Sequence, residues 1–344
     1  MRLTLLVPEL IWPEPGDKFT LGKLSTPGFE WLAGRAAFQR QTRQPYEVAL
    51  AGLFDLDNAP FGALRRLGEA AEPPELSGHW LCADPVHLRF HHERIVLADA
   101  GAFDLHAAEA EAIVASLNAE FADVGIFYIS NPRRWYLKLN STVDQKFAPI
   151  SQMAGRRLDG ELTDKNGPLT RWLNEVQMYL HSHPVNQHRE TIGQPTVNSL
   201  WLWGGGPLPE KATSPYTTVW SDNPLATGLA RAAGIAARPL PESLGELLGT
   251  ADDGHHLVVL DQLLAPVLYE NGDDWRSACQ ALDSQWFIPL RAALGRQIES
   301  LNIVAPTIYG QLNWTLNGND RWKFWRKGHP LATLAQQLAE GKPS

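Results

Sequence analysis

Residues 197–210 read VNSLWLWGGGPLPE. An apolar run carrying two tryptophans stops in three consecutive glycines and a proline. A short apolar run bounded by turn residues predicts a strand over 199–203, buried on both faces as in a parallel sheet covered by helices. Gly204, Gly205 and Gly206 then stand at the carboxyl end of that strand, where open α/β sheets bind ligands. Two readings of them stay open: close packing at a tight turn, or backbone N–H groups converging on an anion. No Lys-Ser or Lys-Thr follows, as a phosphate loop would require.

Outward from this stretch, the chain to its end reads as α/β. Strands are predicted at 217–221, 257–261 and 302–304. Asn223-Pro224 opens a helix over 225–233. Asp274 caps a long helix whose Trp275, Ala278, Cys279, Leu282 and Trp286 share one stripe until Pro289 interrupts it. A short edge strand at 322–326 and a helix at 330–338 follow. Near the start, 3–7 is a buried strand and Asp57 to Pro60 open a helix. The middle has another texture. Strands at 80–82, 86–90 and 94–98 precede a helix over Ala107–Glu120, in which Ala110, Ile113, Val114 and Leu117 fall at helical spacing. A hairpin of 125–130 and 135–139 comes next, then an amphipathic helix over 169–180. The predicted fold class is therefore α/β: a split α/β domain, residues 1–75 and 196–344, with an inserted α+β domain at 76–195. The Pro- and Glu-rich stretch 72–78 is the predicted linker.

Composition narrows the function. The chain has 344 residues, 44% apolar and 20% charged, which is globular. Net charge is −8 with both signs mixed, and without a basic block the expectation is no nucleic-acid partner. Apolar runs are shorter than a bilayer span, so no membrane partner is expected. The opening MRLTLLVPELIWPEPGD reads as a strand rather than a signal peptide. Cys82 and Cys279 are the only cysteines, which fits a reducing, cytoplasmic location. Thirteen tryptophans point to a large packed surface or a walled site.

Three polar clusters invite chemistry. HSHPVNQHRETIGQP, 181–195, gathers His181, His183, Asn186, His188 and Arg189; it reads as a polar connection between domains, with Arg189 suited to bidentate pairing with an anion. Asp84, His87, His91 and His92 read as hairpin surface. Asp261 sits at the carboxyl end of a strand but is followed by an apolar stretch without histidine. No G-x-S-x-G turn supports a catalytic serine.

HPVNQHRETIGQPTVNSLWLWGGG resembles the passage by which archaeal-type cofactor-independent phosphoglycerate mutases re-enter their catalytic domain. ERIVLADAGAFDLHAAEAEAIVASLNAEF and FYISNPRRWYLKL resemble their insertion. The resemblance extends to proteobacterial phosphoglycerate-mutase-like, RpfE-type regulatory proteins, which share ADPVHL and WLWGGG. It implies an alkaline-phosphatase-like fold. It also implies a phosphoryl-accepting serine and two divalent cations, held by Asp and His. This chain departs at each metal motif. Where the mutases have Asp-Gly after the first strand, it has Val7-Pro8-Glu9, so Glu9 alone could substitute. Asp261 persists without its histidine. The last motif is replaced by Val304-Ala305-Pro306-Thr307-Ile308-Tyr309-Gly310. The expectation is a catalytically degenerate, regulatory relative with no catalytic residue and no metal cofactor. Asn186, Arg189, Asn198, Gly204–Gly206, Arg133 and Arg134 would bind an anionic or phosphorylated small molecule between the domains, or a protein partner would be bound instead. The alternative is an active mutase or phosphohydrolase whose rearranged site uses Glu9, Asp17, Asp261 and some of the histidines with two cations such as Mn or Zn.

Overall fold

The computed structural model describes residues 1–69, 76–91, 94–99, 101–143, 145, 147–153, 167–328 and 330–341. Among these the strands run β1 (Arg2–Leu6), β2 (Ala37–Gln41), β3 (His79–His91), β4 (Arg94–Asp99), β5 (Gly125–Asn131), β6 (Arg134–Leu139), β7 (Ser199–Gly206), β8 (Thr218–Trp220), β9 (Ala236–Arg238), β10 (His255–Val259), β11 (Ser300–Thr307) and β12 (Gly310–Asn317). The chain divides into two compact units, Met1–Asp55 with Thr213–Ser344, and Leu56–Ala212.

The discontinuous unit is built on a seven-stranded sheet of order β2-β12-β11-β1-β10-β8-β9. The run from β11 to β9 is parallel, with Leu5 opposite both Val258 and Ile303. Leu3, Leu5 and Leu6 are buried, as expected of a parallel strand covered on both faces. β12 and β2 extend the sheet antiparallel. Tryptophans fill this core: Trp12, Trp275, Trp286 and Trp314 pack with Phe29 and Phe287. The helix Gly272–Leu282 starts earlier than its sequence suggests, because Asn271 is the cap and its Oδ1 accepts the Asp274 N–H at 3.1 Å. A π-helical turn, Asp283–Phe287, then leads into Ile288–Ala293, so Pro289 falls in a first turn and breaks nothing. That turn aims buried Asp283 at the start of the helix Pro27–Arg35, where its oxygens accept the N–H groups of Gly28 (3.1 Å) and Phe29 (2.8 Å). The edge strand expected at 322–326 does not form. A 3₁₀ turn, Gly318–Trp322, and a loop take its place.

The decisive stretch lies in the other unit. β7 pairs antiparallel with β3, Ala83 opposite Leu202 and Pro85 opposite Leu200, in a five-stranded sheet that also contains β4, β6 and β5. It is not a strand of the parallel sheet, and the continuous unit is wider than 76–195. The helix Phe61–Glu69 belongs with it, Phe61 lying 5.8 Å from the Trp203 ring. β3 is one strand where two were expected. On one edge it pairs with β6 over 79–82 and with β4 over 86–91. Pro85, which has no N–H to donate, falls in the interval between those ladders. Ile113, Leu117, Trp135, Leu137, Val176 and Leu202 share this unit's core. The predicted linker at 72–78 and the turn at 92–93 fall largely outside the described residues.

Candidate functional site

Most of the expected anion-binding side chains, Asn186, Arg189, Asn198 and Arg134, are engaged by the chain itself. Asn186 is buried; its Nδ2 donates to the carbonyls of Leu180 and Val197, both at 2.8 Å, and its Oδ1 accepts from Val197 N–H at 2.9 Å. Rather than a connection, 184–191 forms a helix, Pro184–Thr191, begun by His183, whose Nδ1 accepts from Val185 N–H. Arg189 is wholly buried and spends its guanidinium on the carbonyls of Pro195 (2.7 Å) and Asp104 (2.6 Å) and on Glu109 Oε2 (2.7 Å). Asn198 closes the sheet end, accepting from Leu88 N–H at 2.7 Å and donating to its carbonyl at 2.9 Å. The glycines are there for packing. Gly204 has φ +64°, and a Cβ on it would stand 2.5 Å from Phe61 Cβ, while one on Gly206 would stand 2.8 Å from Pro60 Cβ. Arg134 pairs with Glu69 at 2.6 Å, and Arg133 stays exposed, 3.6 Å from Asp104. His87 Nδ1 meets the Thr196 carbonyl at 2.8 Å.

The carboxyl end of the parallel sheet of the discontinuous unit is different in kind. Two residues past β10, Asp261 Oδ2 accepts from Asn223 Nδ2 at 2.8 Å. Asn223 follows β8, and its Oδ1 caps the helix Pro224–Ala232 through Leu225 N–H at 2.9 Å. Burial pushes the Asp261 carboxyl above its ordinary range, the Asn223 bond opposes this, and neighbouring Asp222 adds to the rise. Tyr46 is buried, and its hydroxyl has no hydrogen-bond partner among the described residues. Burial first, then the charges of Asp261 and Glu47, push its phenol well up. A desolvated carboxyl, an amide donor and an unpartnered phenol therefore stand where α/β enzymes place their chemistry.

Of the other two acids of the alternative reading, Asp17 has its carboxylate committed to a helix cap, while Glu9 is fixed through its backbone. Glu9 adopts the left-handed φ of 56°, donates its N–H to Pro306 at 2.9 Å and receives Trp275 Nε1 on its carbonyl at 2.9 Å. Asp17 caps the short helix Lys18–Leu21. Among the described residues no group of three or more His, Cys, Asp or Glu is placed to hold a metal ion. The ends of β1 and β11 supply Val7-Pro8 and Ala305-Pro306, which are not ligands. This donor set does not fit a two-cation centre.

Asp261→Asn is expected to raise the melting temperature at neutral pH. A carboxyl whose folded pKa is raised destabilises the fold as pH climbs through that value, and the cost vanishes below the unfolded pKa. The gain of the variant must therefore shrink toward acidic pH. A gain constant from pH 7 down through the carboxylate range would show that Asp261 is not paying for its burial. Sequence reasoning named Asp261 but passed over Tyr46, which has no local signal, and took Asn223 only as a helix start.

No family model matches the chain. Over 209 residues it is 27% identical to the 2,3-bisphosphoglycerate-independent phosphoglycerate mutase of Methanosarcina mazei, covering 57% of this chain and 52% of that protein. The Methanosarcina barkeri protein of the same name is 26% identical over 211 residues, with the same two coverages. The chain thus spans about half the length of the curated relatives it matches. Among solved structures, the PH0037 protein from Pyrococcus horikoshii superposes with a TM-score of 0.55 at 14% identity, covering 99% of this chain and 98% of that one. The cofactor-independent phosphoglycerate mutase from Thermoplasma acidophilum gives a TM-score of 0.44 at 15% identity, covering 99% of each chain. No helix among the described residues is long and apolar enough to cross a membrane. The chain is thus similar, over part of its sequence, to archaeal 2,3-bisphosphoglycerate-independent phosphoglycerate mutases, and its mixed α/β fold is that of the PH0037 protein.

Proposed function

We propose that this protein is a catalytically degenerate phosphoglycerate-mutase-like protein with a regulatory, ligand-binding or partner-binding role in the cytoplasm. The observation that supports it most is the make-up of the strand ends: Val7-Pro8-Glu9 follows β1 and Ala305-Pro306-Thr307 ends β11, where the resemblance calls for Asp and His ligands. Asp261 remains, desolvated and bonded to the Asn223 amide, without a histidine in the stretch that follows it. Fold persists readily after chemistry is lost. A sheet end with one such carboxylate suits recognition better than metal-assisted phosphoryl transfer.

The test is metal content by mass spectrometry on protein purified without chelator, paired with a phosphoglycerate mutase assay in added manganese. The expected result is folded protein with neither stoichiometric metal nor turnover. Stoichiometric metal with turnover abolished by Asp261→Asn would establish the active alternative and overturn the reading.

A further inference from the structure

The segment DRWKFWRKG, 320–328, combines bases and aromatics on a chain of net charge −8. Its two faces differ. Trp322, Phe324 and Trp325 point outward, 62%, 78% and 67% exposed. Lys323, Arg326 and Lys327 instead line a cavity of about 480 Å³, within the range of small-molecule sites. Buried Trp314 and half-buried Phe38 also line it, their ring centroids 5.3 Å apart, and Gln337 completes the wall. The Gln337 Oε1 is buried without a hydrogen-bond partner among the described residues.

The loop is held in this position by its backbone. A Cβ on Gly328 would collide with the Glu30 carbonyl, and one on Gly34 with the Gly328 N–H, so only glycines allow the loop to lie against the helix Pro27–Arg35. Lys323 is neutralised by Asp320 at 2.6 Å. Arg326 and Lys327 are exposed and have no ion pair among the described residues. The charge that faces the cavity is therefore net positive, while its inner surface is aromatic.

We propose that this cavity binds a small amphipathic anion: a flat aromatic or short acyl body against Phe38 and Trp314, with a phosphate or carboxylate head held by Arg326 and Lys327. The site is independent of whether the region around Asp261 turns over substrate.

The test uses the full chain and titration calorimetry at fixed ionic strength, with phenyl phosphate as probe. Phenylacetate tells a phosphate preference from a carboxylate one, and either anion binding supports the site. Inorganic phosphate and benzyl alcohol each lack half of the chemistry and are expected to bind about tenfold more weakly or worse. R326Q/K327Q, at exposed positions, is expected to weaken phenyl phosphate about tenfold with an unchanged melting temperature. W322A/F324A/W325A, on the outward face, is expected to leave it within about twofold. Equal binding of benzyl alcohol, equal loss in the outward-facing variant, or no detectable binding of either phenyl phosphate or phenylacetate would each overturn the proposal. So would both anions failing to bind while phosphatidylserine-containing vesicles are bound through the three outward rings.

Discussion

Arg65→Ala is expected to cost the continuous unit about 3–5 kcal/mol. Arg65 comes from the helix Phe61–Glu69 and is buried with Asp84 of β3; the two side chains are 8% and 4% exposed. The pairing is bidentate, at 2.6 and 2.9 Å, and Arg65 Nε donates to the Tyr136 hydroxyl at 2.9 Å. Trp203 Nε1 adds a third donor to Asp84 at 2.8 Å, while Tyr136 donates to Glu69 at 2.6 Å. Truncating Arg65 strands a buried carboxylate and an inward-facing phenol. Denaturant unfolding measures the loss, and a value under about 1 kcal/mol would show that water replaces the guanidinium. The double variant Arg65→Met/Asp84→Leu removes both charges and is expected to recover most of the loss, since desolvation offsets much of the attraction in a buried pair.

Arg189→Met is expected to cost about 3 kcal/mol or more, and its pH dependence separates scaffold from ligand site. The residue leaves two carbonyls and Glu109 without their donor. Burial alone would raise the Glu109 carboxyl; the His106 N–H and Arg189 overcome it and hold it below the ordinary value. A depressed carboxyl contributes stability that is present above its unfolded pKa and is lost as pH falls through the folded one. Without Arg189 that contribution shrinks, so the variant must lose less than the parent between neutral pH and the acidic end of the carboxylate range. Arg189→Lys keeps the charge but not the three-way geometry, and is expected to recover a minor part. An unchanged stability for Arg189→Met, with loss of binding to an anion, would restore the ligand-binding reading.

Local pattern carried some elements and misled on others. The helix Ala107–Glu120 and the β5–β6 hairpin were readable because apolar spacing, a capping residue and the Asn131-Pro132 turn all agree. β7 was readable as a strand but not as a member of its sheet. SLWLW is apolar on both faces in either setting, and only the pairing partner, β3, distinguishes them. β12 alternates Leu312, Trp314 and Leu316 inward with polar residues between, a signal available in the sequence and passed over. β2 is mostly exposed and carries no such signal. Of the site, Asp261 was legible because strand ends attract chemistry. Tyr46 was not, since it reaches that end from a separate helix through tertiary packing alone. Arg189 was legible as a guanidinium with a partner; its partners, two carbonyls and Glu109, are far away in sequence or without any side-chain signal.

The division at Asp55 and Ala212 also sets an order of events during synthesis. The unit Leu56–Ala212 is one uninterrupted stretch with its own sheet and core, so it can be complete while the chain is still emerging. β1 must wait far longer, because its neighbours β10 and β11 lie some 250 and 300 residues downstream. Until they arrive, the apolar run Leu3–Leu6 has no sheet to join. A folded intervening unit shortens the flexible chain that must close, whereas an unfolded one leaves the whole length to be closed at entropic cost. A lesion at Arg65 would thus be felt by β1 as well, as a slower capture of that strand between β10 and β11.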